Sequence, residues 1–213
     1  MIPLILRLKK ENQRILAKAQ DLIVETMLEV FDNVVLHGGT GIWRCYSGNR
    51  FSEDVDVYID RNLGKIEEFF GLLVKRGFAL EKKKIGENSI YSCFIFEKRF
   101  VRFEAVFKKV DAFFRDYEKT DGNFIPVLTL TISGFINEKV EAYIKRLKIR
   151  DLYDIFFLLH NLKDDSVRPA LKKLIDFFKN PIDEPDLKLL ILEGIVPGSK
   201  KMIEYIKDRY EHG

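Results

Sequence analysis

The chain has 213 residues, 46% of them hydrophobic and 32% charged, with 18 Phe and a formal net charge of +3. This balance specifies a folded globular protein with a sizeable core and excludes disorder and low complexity. Cys45 and Cys93 show no CxxC or Cys/His spacing, and no run reaches the ~20 apolar residues of a membrane span, so a disulfide framework, a zinc site and a membrane role are not expected and a cytoplasmic location is.

Apolar residues at helical spacing, from Ile15 and Leu16 to Val30 and Phe31, predict a long helix over about residues 8–31. Val34-Val35-Leu36 reads as a short buried strand. Gly38 and Gly39 follow as a tight turn with outward-facing N–H groups, and a short helix is expected from Thr40 to Tyr46. A second strand covers about residues 52–59, and a helix about 63–75. Three strand-like runs then span about 78–85, 89–97 and 100–107, joined at Gly86-Glu87-Asn88 and Lys98-Arg99. A polar loop is expected over about 115–123 and a further strand over about 127–131. From there the pattern turns helical: about 134–146, 149–161, and 166–178 with Ser166 as its cap, then two short helices near 187–192 and 199–210. These elements predict an α+β protein. An α/β core with an N-terminal helix would occupy about residues 1–132, and a helical domain about residues 133–213.

Chemistry concentrates between Gly38 and Asp56. Strand side chains alternate, so Asp54 and Asp56 are expected on one face, with Val55 and Val57 turned into the core. Two acids on a strand beside a turn rich in N–H groups suit divalent cations that hold a nucleoside triphosphate. Neither a Walker A loop nor a GxGxxG fingerprint is present. Glu104 is an acid inside the apolar run Val101–Phe107. It reads either as a solvent-facing residue paired with Arg102 or as a third metal carboxylate able to take the proton of an attacking hydroxyl. Lys82–Lys84, Lys98-Arg99 with Arg102, Lys108-Lys109 and the 145–150 stretch are basic clusters, read as solvated faces or as phosphate contacts. His37, His160 and His212 form no cluster.

His37-Gly38-Gly39-Thr40 followed by Arg50-Phe51-Ser52-Glu53-Asp54-Val55-Asp56 resembles the signature of the AbiEii/AbiGii toxin family, within the DNA polymerase β-like nucleotidyltransferases. Glu138-Lys139, Arg146 and Arg150-Asp151-Leu152-Tyr153-Asp154 resemble the family's second block. One departure is Gly41, where the family favours a helix former such as Ala; it predicts a turn that extends further before the helix begins. The resemblance implies a nucleotidyltransferase-like mixed sheet with flanking helices, followed by a C-terminal helical region that closes the nucleotide cleft.

The resemblance also implies roles. Asp54, Asp56 and Glu104 would be catalytic and bind Mg2+ or Mn2+. Gly38, Gly39, Thr40, Arg50, Ser52, Lys139, Arg146 and Asp151 would bind the nucleotide, while Asp154 would fix Arg150 or Arg146. The implied activity is metal-dependent transfer of a nucleotidyl group from an NTP to an acceptor such as RNA, particularly a tRNA end, by the toxin of a toxin–antitoxin pair with a cognate antitoxin. Alternatives are transfer to a protein hydroxyl, a nucleotide-binding module without turnover, and γ-phosphoryl transfer to a protein.

Overall fold

Helix α1 (Leu4–Arg7) is a single turn, and the main N-terminal helix, α2 (Glu11–Val30), starts three residues later than the periodicity predicts. The break has a local cause: Leu8 and Lys10 adopt extended backbone, and the Leu8 side chain is wholly buried. The apolar stripe of α2, including Leu16, Ile23, Met27 and Val30, is buried as its spacing requires. The computed structural model describes residues 2–162 and 165–212, and the chain divides into two compact units, Met1–Leu130 and Thr131–Gly213.

In the first unit β1 (Val34–His37) runs directly into α3 (Gly38–Cys45), and β2 (Val55–Ile59) returns antiparallel to β1. Helix α4 (Leu63–Lys75) is capped by Asn62, whose side chain accepts from the Lys65 N–H at 3.1 Å. A meander follows: β3 (Ala79–Ile85), β4 (Ser89–Phe96) and β5 (Arg99–Phe107). The last hairpin turns at Glu97-Lys98, both at positive φ, one residue earlier than expected. Strands β6 (Phe113–Glu118) and β7 (Phe124–Thr129) complete a seven-stranded mixed sheet of order β3-β4-β5-β2-β1-β7-β6.

Strand β6 corrects the expected 115–123 loop. It is an edge strand on which Phe114, Arg115 and Asp116 are all exposed, so no apolar alternation marks it. Only residues 119–123 form the connection, tightened where Asp121 accepts from the Asn123 N–H at 2.9 Å.

One face of the sheet is covered by α2 and α4. Phe69 packs on Phe103 at 4.7 Å between ring centroids and Phe70 on Phe94 at 5.5 Å, while Val55, Val57, Val101, Phe103 and Ala105 are fully buried. Truncating a buried ring of this kind typically costs about 3–5 kcal/mol. By alternation, Asp56, Tyr58, Arg102 and Glu104 lie on the other face.

The second unit is helical: α5 (Ile132–Arg146), α6 (Ile149–Leu159), α7 (Arg168–Asp176), a 3-10 turn at Glu184–Asp186, α8 (Leu187–Leu190) and α9 (Ser199–His212). Thr131 caps α5 by accepting from the Gly134 N–H at 3.0 Å, and Leu147 in the left-handed region ends it. Ser166 does not cap α7. Val167 takes the cap position without a side-chain bond, and Pro169 sits in the first turn, where its missing N–H costs nothing. Among the described residues no helix is long and apolar enough to cross a membrane.

Candidate active site

The sheet register sets out the site. His37 on β1 pairs with Asp56 on β2, Asp56 pairs with Glu104 on the parallel β5, and Glu104 pairs with Tyr91 on β4. Adjacent strands lie about 4.8 Å apart, so Asp56 and Glu104 are neighbours on one face. Both are half-buried, and the apolar residues flanking each are fully buried. Asp54 lies just before β2.

At His37 the strand becomes a helix without an intervening loop. The helix begins at Gly38 itself, so the longer turn expected from Gly41 is not formed; Gly41 is helical and buried. Gly38 has φ +67°, and a methyl group placed on it would fall 2.1 Å from Asp56 Oδ2. The carboxylate therefore abuts the backbone at the start of α3, a closeness that only glycine permits. On Gly39 a methyl would fall 2.5 Å from Ser52 Oγ and 2.6 Å from an Arg50 Nη. Gly38, Gly39, Arg50, Ser52 and Asp56 are thus brought together around the N-terminus of α3. Backbone N–H groups and the helix dipole there favour an anion.

Thr40 belongs to this cluster in a different capacity. It is fully buried, and its hydroxyl donates to the Asp54 carbonyl. Gln20 on α2 donates to the Ser52 carbonyl at 2.8 Å and reaches Thr40 Oγ1 at 3.4 Å. The Thr40 side chain therefore holds the segment that carries Asp54, which leaves the backbone of α3 to meet a ligand. Arg50 is buried, with one Nη donating to the Phe51 carbonyl at 3.1 Å.

Arg102 is the site residue whose role the sequence did not disclose. Its Nε and Nη2 donate to the two Asp54 carboxylate oxygens at 2.6 and 2.9 Å. Burial pulls the Arg102 pKa down, but the Asp54 charge and hydrogen bonds outweigh it, and the net shift is upward. Strand alternation already put Arg102 on the face of Glu104. What alternation cannot show is that its fork reaches across to Asp54.

Among the described residues no three His, Cys, Asp or Glu side chains converge as a closed metal cage. The Asp54 carboxylate is turned to Arg102, while Asp56 and Glu104 stand side by side. This donor set still fits a hard divalent cation, because Mg2+ is commonly held by one or two carboxylates together with substrate phosphates. Cysteine chemistry is disfavoured at Cys45, whose burial pushes the thiol pKa up to about 12.

The second block of sequence-predicted residues lies wholly in the helical unit and forms a charge-balanced network. Lys139 is buried and pairs with Asp154 at 2.8 Å and Asp151 at 3.6 Å. Arg146 grips Asp151 with two hydrogen bonds at 2.6 and 2.7 Å. Asp151, wholly buried near the start of α6, is thus held by two cations; Asp154 meets Lys139, a partner the sequence reading did not name. Of the two basic residues only Arg146 is substantially exposed, at 44% of its side chain.

Comparison with known proteins bears on the fold and on the family. Among solved structures the fold is similar to JHP933 from Helicobacter pylori, with TM-score 0.65 and 18% identity over 95% of this chain and 91% of that one. It is also similar to MenT4, a nucleotidyltransferase toxin from Mycobacterium tuberculosis, with TM-score 0.67 and 16% identity over 93% and 82% of the two chains. No curated protein matches by sequence. The family profile described as nucleotidyl transferase AbiEii toxin, of type IV toxin–antitoxin systems, matches residues 28–201, which include both signature blocks and the strand bearing Glu104. The chain belongs to the AbiEii family of nucleotidyl transferase toxins.

Proposed function

We propose that the protein transfers a nucleotidyl group from a nucleoside triphosphate to an RNA acceptor such as a tRNA end, with Mg2+ or Mn2+ held at Asp54, Asp56 and Glu104. The observation that carries this reading is the apposition of the Asp56 carboxylate to Gly38 at the N-terminus of α3, with Glu104 beside it in register. Backbone N–H groups at Gly38 and Gly39, with Arg50 behind them, take the phosphates. Thr40 and Ser52 shape the loop that presents Asp54. Glu104 accepts the proton of the attacking hydroxyl. A divalent cation, when bound, supplies charge neutralisation for the triphosphate and lowers the pKa of the attacking group. In the helical unit Asp151 holds both Arg146 and Lys139, and the outer edge of Arg146 stays exposed. A cytoplasmic setting and a cognate antitoxin belong to the same reading.

The test incubates the protein with total RNA, Mg2+ and each triphosphate in turn, labelled at the α-phosphate and, in a parallel series, at the γ-phosphate. Label in one RNA class is the expected result. Label in protein instead moves the acceptor to a protein hydroxyl, binding without label leaves a nucleotide-binding module, and transfer from a γ-label alone makes the enzyme a phosphotransferase.

The same reading makes Arg102 a competitor of the cation. Arg102→Ala should tighten Mn2+ binding about three- to tenfold by calorimetry, since a half-exposed ion pair withholds only ~1 kcal/mol. Unchanged or weaker binding would show that Asp54 is not held away from the metal by Arg102.

A further inference from the structure

The face that carries the acids continues into a cavity of about 270 Å3 in the first unit. Val35, Tyr58 and Leu128 line it, with Asp60, Lys108 and Lys109 also contributing. Tyr58 stands two residues beyond Asp56 on β2, so it shares that face and lies roughly 6.5–7 Å further along. Lys108 follows Glu104 and Val106 at the same two-residue step, just past the end of β5. The Tyr58 ring is held in place by His37, stacked on it at 4.0 Å with an interplanar angle of 7°. The Lys108 ammonium sits 5.5 Å from the Tyr58 ring centroid; the Lys109 side chain is 90% exposed, with its ammonium 4.0 Å from an Asp60 carboxylate oxygen at the limit of an ion pair.

Position gives the cavity its meaning. The Gly38–Gly39 backbone is at one end of the face, Asp56 and Glu104 are in the middle, and Tyr58 and Lys108 are at the other end. In nucleotidyl transfer a hydroxyl oxygen forms a bond to the α-phosphorus while the bond from that phosphorus to the α–β bridging oxygen breaks. Pyrophosphate departs with the electron pair, and the hydroxyl proton passes to a base. Attacking and leaving oxygens stand in line. With pyrophosphate at the glycine end, the acceptor arrives from the Tyr58 end.

We propose that this cavity is the acceptor subsite and takes the terminal nucleotide of a single-stranded RNA end, with the adjoining phosphates on Lys108 and Lys109. The inference rests on the nucleotidyl-transfer reading above. An aromatic and aliphatic lining suits a base, and two adjacent exposed lysines suit successive phosphates. A protein hydroxyl brings no obligatory anion for that pair to neutralise.

The test measures fluorescence anisotropy of a 5′-labelled single-stranded RNA 12-mer with the full chain across a salt series, and calorimetry of each triphosphate with Mg2+. The double variant K108E/K109E should lose at least about tenfold in RNA affinity, and its log–log salt slope should fall by about 1.4, the value for two phosphate contacts on a single strand. Its triphosphate binding should match wild type. The variant K82E/K84E, which reverses exposed lysines on edge strand β3, should bind RNA as wild type does. Equal RNA binding by K108E/K109E, equal loss in K82E/K84E, or no RNA binding by wild type would each overturn the acceptor subsite. Absence of triphosphate binding in wild type would instead strike the nucleotidyl-transfer reading itself.

Discussion

Asp56→Asn should lower nucleotidyl transfer by about a hundred- to a thousandfold while leaving the thermal unfolding midpoint within a few degrees of wild type. The substitution keeps shape and removes one negative charge, and a preorganised electrostatic contact of this kind typically accounts for that range. Asp56 is half-buried on β2, between residues that fill the core, so its neighbours continue to specify the strand. The charge sits where the start of α3 and Glu104 meet, and the three atoms nearest to a methyl placed on Gly38 all belong to the Asp56 side chain. The measurement is single-turnover transfer of α-labelled nucleotide, with circular dichroism melting as the control for folding. Transfer within a few fold of wild type would remove Asp56 from the chemistry. The double variant D54A/D56A should show no transfer above background.

Legibility in the sequence followed how locally each feature is determined. Strands β2 and β5 could be placed because Val55, Val57, Phe103 and Ala105 alternate with acids, and one buried face enforces that period. The glycine pair is visible in the sequence but its helical conformation is not, because helical propensity at Gly41 says little when α3 is held on several sides. Thr40 bonds to the Asp54 carbonyl, and α3 packs beside β1, β2 and β6. Tertiary packing outweighs a propensity difference of about 1 kcal/mol. Strand β6 leaves no mark in the sequence because an exposed edge strand has no apolar period. The Arg102–Asp54 fork and the Lys139–Asp154 pair were hidden for another reason. A sequence shows which charges share a face or a stripe, whereas which of them touch depends on rotamers and on strand register. The cavity beside Tyr58 is assembled from β1, β2, β7 and the link after β5, and only the sheet order brings those segments together.

Arg44→Met should destabilise the first unit by about 3–5 kcal/mol, the usual cost of removing one partner of a buried ion pair. Arg44 on α3 is 2% exposed and forms an ion pair with Asp21 on α2. It also donates to the Ala17 carbonyl and the Tyr117 hydroxyl, both at 3.1 Å. Asp21 in turn accepts from the Tyr117 hydroxyl at 3.1 Å, the Thr120 N–H at 2.8 Å and the Thr120 hydroxyl at 2.7 Å. Removing the cation leaves that carboxylate buried and uncompensated, which is the costly way to break such a pair. Removing both charges is different: R44M/D21L exchanges the ion pair for apolar packing and should recover part of the loss. Trp43, the sole tryptophan, lies against the Arg44 guanidinium at 4.5 Å and Phe51 at 4.8 Å, so its fluorescence reports this region during urea unfolding. A loss below about 1 kcal/mol in R44M would mean that water or rearrangement satisfies Asp21. The consequence for the site is direct, since Arg44 ties α3 to α2 and β6, and α3 carries Gly38 and Gly39 at its other end. R44M should therefore also weaken triphosphate binding at temperatures where the fold persists, and R44M/D21L should restore stability more fully than it restores binding, because apolar packing returns volume to the joint without the bonds that orient the helix.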